Sequence, residues 1–141
     1  MCFKEIGFAP FTSKPCVHKI TNLSDEPMFC INVEVLQKPP ITQPKAMEES
    51  HHSLVMTKHN CRVYKLVLKP NESTTVSYNF FYTHVVTEGG ELELCLKGVS
   101  NSATWKDTAV VGDVAWKEPC VDMKVTNIGD TVYEAYICEW C

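Results

Sequence analysis

Glu91-Leu-Glu-Leu-Cys-Leu-Lys97 alternates with a period of two, setting Leu92, Leu94 and Leu96 on one face and Glu91, Glu93 and Cys95 on the other. That pattern is a half-buried strand, and the chain repeats its logic in both directions. Upstream, Cys61-Arg-Val-Tyr-Lys-Leu-Val-Leu68 is strongly β-prone and closes on Lys69-Pro70-Asn71. Further strands are expected over 73–79 and 80–87, and earlier over Met28-Phe-Cys-Ile-Asn-Val-Glu-Val-Leu36, which ends before Pro39-Pro40. Residues 37–50 read as a loop, and 99–106 as a polar excursion. Downstream strands are expected over 108–116, 121–127 and 131–140, the last two joined across Ile128-Gly129-Asp130. No stretch offers helical periodicity for more than two turns. Short strands at close intervals with tight turns imply an all-β sandwich or barrel.

At 141 residues the chain reads as one domain, with 1–16 as an N-terminal arm or edge strand. The net charge of -4 argues against a nucleic-acid surface, which would have to be basic. No apolar run approaches the length needed to span a bilayer, and the first residues lack the apolar core of a secretory signal. A cytoplasmic protein is therefore expected, with reduced thiols among its eight cysteines. The sequons at Asn22 and Asn71 then read as chance. Cys138-Glu-Trp-Cys141 has the two-residue gap of redox motifs but no following helix to activate it.

Between Arg62 and Glu139 the order of strands and turns resembles a small cupin, a double-stranded β-helix or jelly-roll barrel. The first cupin motif runs Gly, five residues, His-x-His, three or four residues, Glu, six residues, Gly. The same frame here reads Asn71, Ser77-Tyr78-Asn79, Thr83, Gly90. The second runs Gly, five residues, Pro-x-Gly, two residues, His, three residues, Asn, and reads Gly112, Glu118-Pro119-Cys120, Met123, Asn127. The glycines are expected at turns where positive φ is needed. Every metal-ligand position departs from the family pattern: Ser77, Asn79, Thr83 and Met123 replace imidazoles and a carboxylate. With the four-residue gap, His84 takes the Glu position instead of Thr83.

The resemblance implies a barrel without the family's metal set, so no cofactor is expected. Strand alternation directs Ser77, Asn79 and Phe81 inward, with Met123, Val125 and Val121 converging from a neighbouring strand. Together with Thr83, these residues form the expected contact surface for a small organic ligand. His84, Tyr78 and Tyr82, with Glu88 beside them, are the candidate proton carriers of a non-metal isomerase, cyclase or lyase. One rival is a metal-dependent enzyme with a rearranged site of His52, His84 and a cysteine, for which zinc would suit. Another is a structural or interaction protein. Cys95 and Cys120 are candidate nucleophiles against a buried structural role, and His51, His52 and His59 against an exposed polar segment. A homodimer is the partnership that small cupins imply, with no nucleic acid and no membrane.

Overall fold

The computed structural model describes residues 6–7, 19–34, 37, 39, 45–58, 60–97 and 102–141. The chain divides into two compact units, Met1–Glu34 and Val35–Cys141. The described part of the first unit holds no strand, so the one expected from Met28 does not form over 28–34; its last two residues lie outside the described residues. Six of the seven side chains of 28–34 are exposed. A β-prone run becomes a strand only when a neighbour completes its backbone hydrogen bonds and covers one face. Most of the proposed arm at 1–16, and His59, also fall outside the described residues. No helix of the described chain is long and apolar enough to cross a membrane.

The second unit is all-β. Its strands are β1 (His52–Lys58), β2 (Cys61–Leu68), β3 (Ser73–Tyr78), β4 (Tyr82–Glu88), β5 (Gly90–Lys97), β6 (Ser102–Ala109), β7 (Val114–Lys117), β8 (Cys120–Asn127) and β9 (Tyr133–Trp140). They form a five-stranded sheet, β1-β2-β9-β4-β7, and a four-stranded sheet, β3-β8-β5-β6, with every pairing antiparallel.

Two expectations need correction. The polar excursion over 99–106 is a strand from Ser102 onward, held by an eight-rung ladder to β5. The strand expected over 108–116 is instead the end of β6, a turn and the start of β7, in different sheets. The turn is built on Gly112 at φ 92 and on Asp113, whose carboxylate accepts the Val110 N–H at 3.0 Å.

Register fixes what lies inside. On the five-stranded sheet the inner rungs run Arg62·Glu139·Tyr82·Lys117, then Tyr64·Ile137·His84·Ala115, then Leu66·Ala135·Val86, then Leu68·Tyr133. The facing sheet contributes Thr74·Val125·Leu94·Trp105, Val76·Met123·Leu96·Ala103 and Asn127·Leu92·Asp107. One buried cluster gathers Leu66, Leu68, Val86, Leu92, Val125, Tyr133 and Ala135; the other gathers Tyr64, Val76, Tyr78, Tyr82 and Ile137. Met123 packs against both. The interior thus grades from an apolar end to a charged one.

Three turn positions explain the frame. Asn71 stands where the motif has glycine and adopts φ 66, a left-handed conformation that Asn tolerates. Gly90 does not have positive φ; the constraint falls on Gly89, where a Cβ would lie 2.5 Å from the Ala109 carbonyl oxygen. Asn127 is fully buried, donating from Nδ2 to the Leu68 and Thr131 carbonyls and accepting the Gly129 N–H at Oδ1.

Candidate functional site

His84 projects inward from the middle of β4, and Tyr133 rises to it from the start of β9. Tyr133 Oη and His84 Nε2 share a 2.7 Å hydrogen bond. Burial, with Lys117 nearby, lowers the His84 pKa to about 4, so its imidazole is neutral at physiological pH. Burial pushes the Tyr133 phenol up, which keeps its proton in place. Asp107 and Asp113 act electrostatically on both residues. Both groups are neutral, so either the phenol or the imidazole N–H can donate in this bond.

This pair lies near an exposed strand, whose Asp107 acts on both residues. Strand β6 is hydrogen-bonded to β5 alone, and exposed residues alternate onto both of its faces. Ala103, Trp105 and Asp107 share the inner face with Leu92, Leu94 and Leu96, yet all three are exposed. The inner face of β6 is therefore left uncovered by the facing sheet.

A second histidine–tyrosine pair stands elsewhere in the barrel. His52 Nε2 lies 2.8 Å from Tyr78 Oη, and its Nδ1 lies 3.0 Å from the Ser50 carbonyl. The carbonyl can only accept, so Nδ1 carries the proton and Tyr78 donates to Nε2. Tyr78 packs on Tyr82 with centroids 4.3 Å apart, and Tyr82 is hydrogen-bonded to Cys120. Burial raises the pKa of both phenols, so neither is primed as a base.

The expected ligand face is displaced by one residue. Val76 and Tyr78 face inward, while Ser77 and Thr83 project from the opposite faces of their strands. Phe81 stacks on Trp116, which lies beside Thr83 on the outer face of the five-stranded sheet. Ser77 Oγ accepts the Asp122 N–H, and Asn79 is exposed; both stand on the rim of a depression at the charged end of the barrel. The reason is side-chain character: Val76 and Tyr78 gain more by burial than Ser77 and Asn79 do. Met123 and Val125 face inward as expected, and Val121 is exposed. His84, not Thr83, is the inward group of β4. Glu88 is exposed at the end of that strand.

Motif spacing does not single out Tyr133, Arg62, Tyr64 or Glu139. Arg62 and Glu139 are rung partners at the charged end, 8% and 3% exposed. The only sequence signal for them is a charged residue in phase with the inward positions of β2 and β9.

The donors present do not fit a metal of the family's kind. His52 and His84 are each engaged by a different tyrosine, and Ser77, Asn79 and Thr83 do not face inward. Among the described residues no three His, Cys, Asp or Glu side chains gather as ligands. The rearranged His52–His84–cysteine site is therefore not formed. Four of the cysteines are poor nucleophiles: burial raises the Cys61 thiol to about 11 and the Cys138 thiol to about 12, and lifts Cys120 and Cys141. Cys138 lies on a strand, without the helix N-terminus that activates paired cysteines.

No family model matches the sequence, and no curated protein matches it. Solved structures do. A cupin domain from Bordetella pertussis Tohama I is 18% identical with a TM-score of 0.54, over 67% of this chain and 97% of that one. An RmlC-like cupin with a double-stranded β-helix fold from Methanocaldococcus jannaschii is 16% identical, TM-score 0.48, over 76% and 93%. A Cupin 2 conserved barrel domain protein from Salinispora arenicola CNS-205 is 18% identical, TM-score 0.48, over 64% and 74%. Two facing antiparallel sheets in this strand order, with the likeness to the first of these structures, give the chain the fold of a small cupin, a double-stranded β-helix.

Proposed function

We propose that this barrel binds a small organic ligand against the uncovered inner face of β6 and holds an oxygen of it through His84, which Tyr133 orients. The observation that carries the reading is the 2.7 Å hydrogen bond between these groups, on the inner face of the barrel beside an exposed strand. The neutral imidazole can hydrogen-bond a ligand oxygen through the ring nitrogen that Tyr133 leaves free, while the phenol keeps its own proton and fixes the ring. Trp105 and Leu94 offer an apolar wall, and Asp107 a polar one. That arrangement suits an isomerisation or elimination in which charge develops on the ligand oxygen.

The rival reading is a barrel kept for its packing alone. It is favoured by Met123, which joins both buried clusters and fills the middle of the interior. A thermal-shift screen of small carbonyl and hydroxy-acid compounds separates the two. Compounds that stabilise the protein, and lose the effect in His84→Gln and in Trp105→Ala, support the ligand site. A screen in which no compound discriminates these variants from the parent protein supports the packing reading.

A further inference from the structure

Residues 19–34 repeat residues 124–139, which run from the middle of β8 through the turn and along β9, and they do so without a gap. Lys19-Ile-Thr-Asn-Leu-Ser-Asp25 stands against Lys124-Val-Thr-Asn-Ile-Gly-Asp130, and Glu34 against Glu139. Lys, Thr, Asn, Asp and Glu are identical, while Ile20 for Val125 and Leu23 for Ile128 keep the apolar character. An internal repeat of this kind marks two copies of one structural unit.

The two copies share their turn. Asn127 Nδ2 donates to the Thr131 carbonyl at 2.7 Å, and its Oδ1 accepts the Gly129 N–H at 3.0 Å. Asn22 Nδ2 donates to the Glu26 carbonyl at 2.6 Å, and its Oδ1 accepts the Ser24 N–H at 3.1 Å. Donors and acceptors occupy the same positions, so the match is one of geometry as well as of residue type. The surroundings differ. Asn127 makes a third bond, to the Leu68 carbonyl, and is fully buried, whereas Asn22 is exposed. Val125 and Tyr133 are 3% and 0% exposed, but Ile20 and Met28, at their positions, are 57% and 51% exposed. Cys30, in the place of the buried Ala135, is exposed too.

We infer that residues 19–34 are the closing hairpin of a second barrel of this fold, an interaction element whose partner is the rest of that barrel. In the barrel described above, β8 lies between β3 and β5, and β9 between β2 and β4. The partner therefore carries counterparts of those flanking strands and leaves the places between them open. Its sheets complete the backbone hydrogen bonds of the 28–34 run and cover Ile20, Met28 and Cys30. They also offer Asn22 the carbonyl that Leu68 offers Asn127. Glu34 keeps the carboxylate that Glu139 sets on the rung of Arg62, so the partner has a basic residue there.

This protein's own barrel serves as the second barrel in the test. In one full-length graft, residues 124–139 are replaced by the sequence of residues 19–34. Met and Asn then remove core volume at positions 133 and 137, and Cys adds it at 135, so a second graft keeps Tyr133, Ala135 and Ile137. Each graft is compared with a chain carrying the same residues in scrambled order. At least one graft is expected to unfold in a single cooperative thermal transition, with a β-sheet circular dichroism spectrum and a melting temperature lowered by about 10 to 20 °C. The scrambled chains are expected to show no such transition. Two grafts no more cooperative than their scrambled counterparts overturn the inference, as do scrambled chains that unfold like the true grafts.

Discussion

Tyr133 reaches His84 across two rungs of the barrel: His84 pairs with Ile137 on β9, yet its Nε2 meets the hydroxyl of a residue four positions earlier. The phenol spans the gap because Ala135, fully buried between them on the inner face, leaves room for the ring. Four residues of strand advance about 13 Å, so the phenol and the imidazole each lean along the strands to meet, with ring centroids 6.3 Å apart. A larger residue at 135 closes that path. Ala135→Leu is expected to destabilise the protein by about 2 kcal/mol through overpacking and to detach Tyr133 from His84. Thermal unfolding reads the first effect. The His84 imidazole resonances in an NMR titration read the second; resonances identical to those of the parent protein would sink the idea.

The same pair makes stability depend on pH. The imidazole pKa drops from 6.5 to about 4 on folding, so between those values the unfolded chain binds more protons. Stability from this group is complete above about pH 6.5 and is lost as pH falls towards 4, by up to about 3 kcal/mol. His52, whose pKa burial also lowers, adds to the loss in the same direction. Denaturant unfolding from pH 7 to pH 4 is expected to show the fall, and His84→Gln to flatten it. An equally steep fall in that variant would assign the effect to other groups.

The glycines separate by mechanism. Gly89→Ala forces a Cβ against the Ala109 carbonyl oxygen and is expected to cost about 2 kcal/mol. Gly112→Ala places alanine at φ 92 and costs roughly 1 to 2 kcal/mol. Gly90→Ala meets nothing closer than 3.6 Å and leaves the melting temperature nearly unchanged. If Gly90→Ala proved as damaging as Gly89→Ala, the turn geometry described above would be wrong.

Asn127 is a structural tie. Asn127→Leu removes the amide donor from the Leu68 and Thr131 carbonyls and leaves the Gly129 N–H with the Glu91 carbonyl alone, at about 3 kcal/mol. Urea unfolding is the measurement, and a change under about 0.5 kcal/mol would contradict the assignment.

Restoring histidines at the aligned motif positions does not restore a metal centre. In the triple variant Ser77→His, Asn79→His, Met123→His, only position 123 faces inward, so no stoichiometric zinc or iron is expected by elemental analysis. Stoichiometric metal in this variant would show that Ser77 and Asn79 can turn inward.

Much of the fold was legible along the chain. The period of two in β5, the β-prone run of β2 and the turn at 128–130 each name their element, because alternation and turn chemistry are local. β6 was not legible: Ser102-Ala-Thr-Trp-Lys-Asp-Thr-Ala109 carries little apolar signal, and it is a strand because β5 pairs with it. The 28–34 run errs the other way, β-prone but without a described ladder.

For the site, the residue types were readable and their partners were not. His84 stands out as a histidine within a β-prone segment, but Tyr133 is distant in sequence and meets it only because β9 lies beside β4. The motif spacing put Ser77, Asn79 and Thr83 inside, while the larger apolar gain of burying Val76 and Tyr78 turned the strand the other way. A one-residue shift in phase exchanges the whole face, and spacing alone carries no information about which phase buries more apolar surface. Sequence by itself determined a β-barrel with a cupin's turns and without its metal ligands. Only the tertiary structure decided which side chains meet inside it, because strand pairing joins residues that the chain keeps far apart.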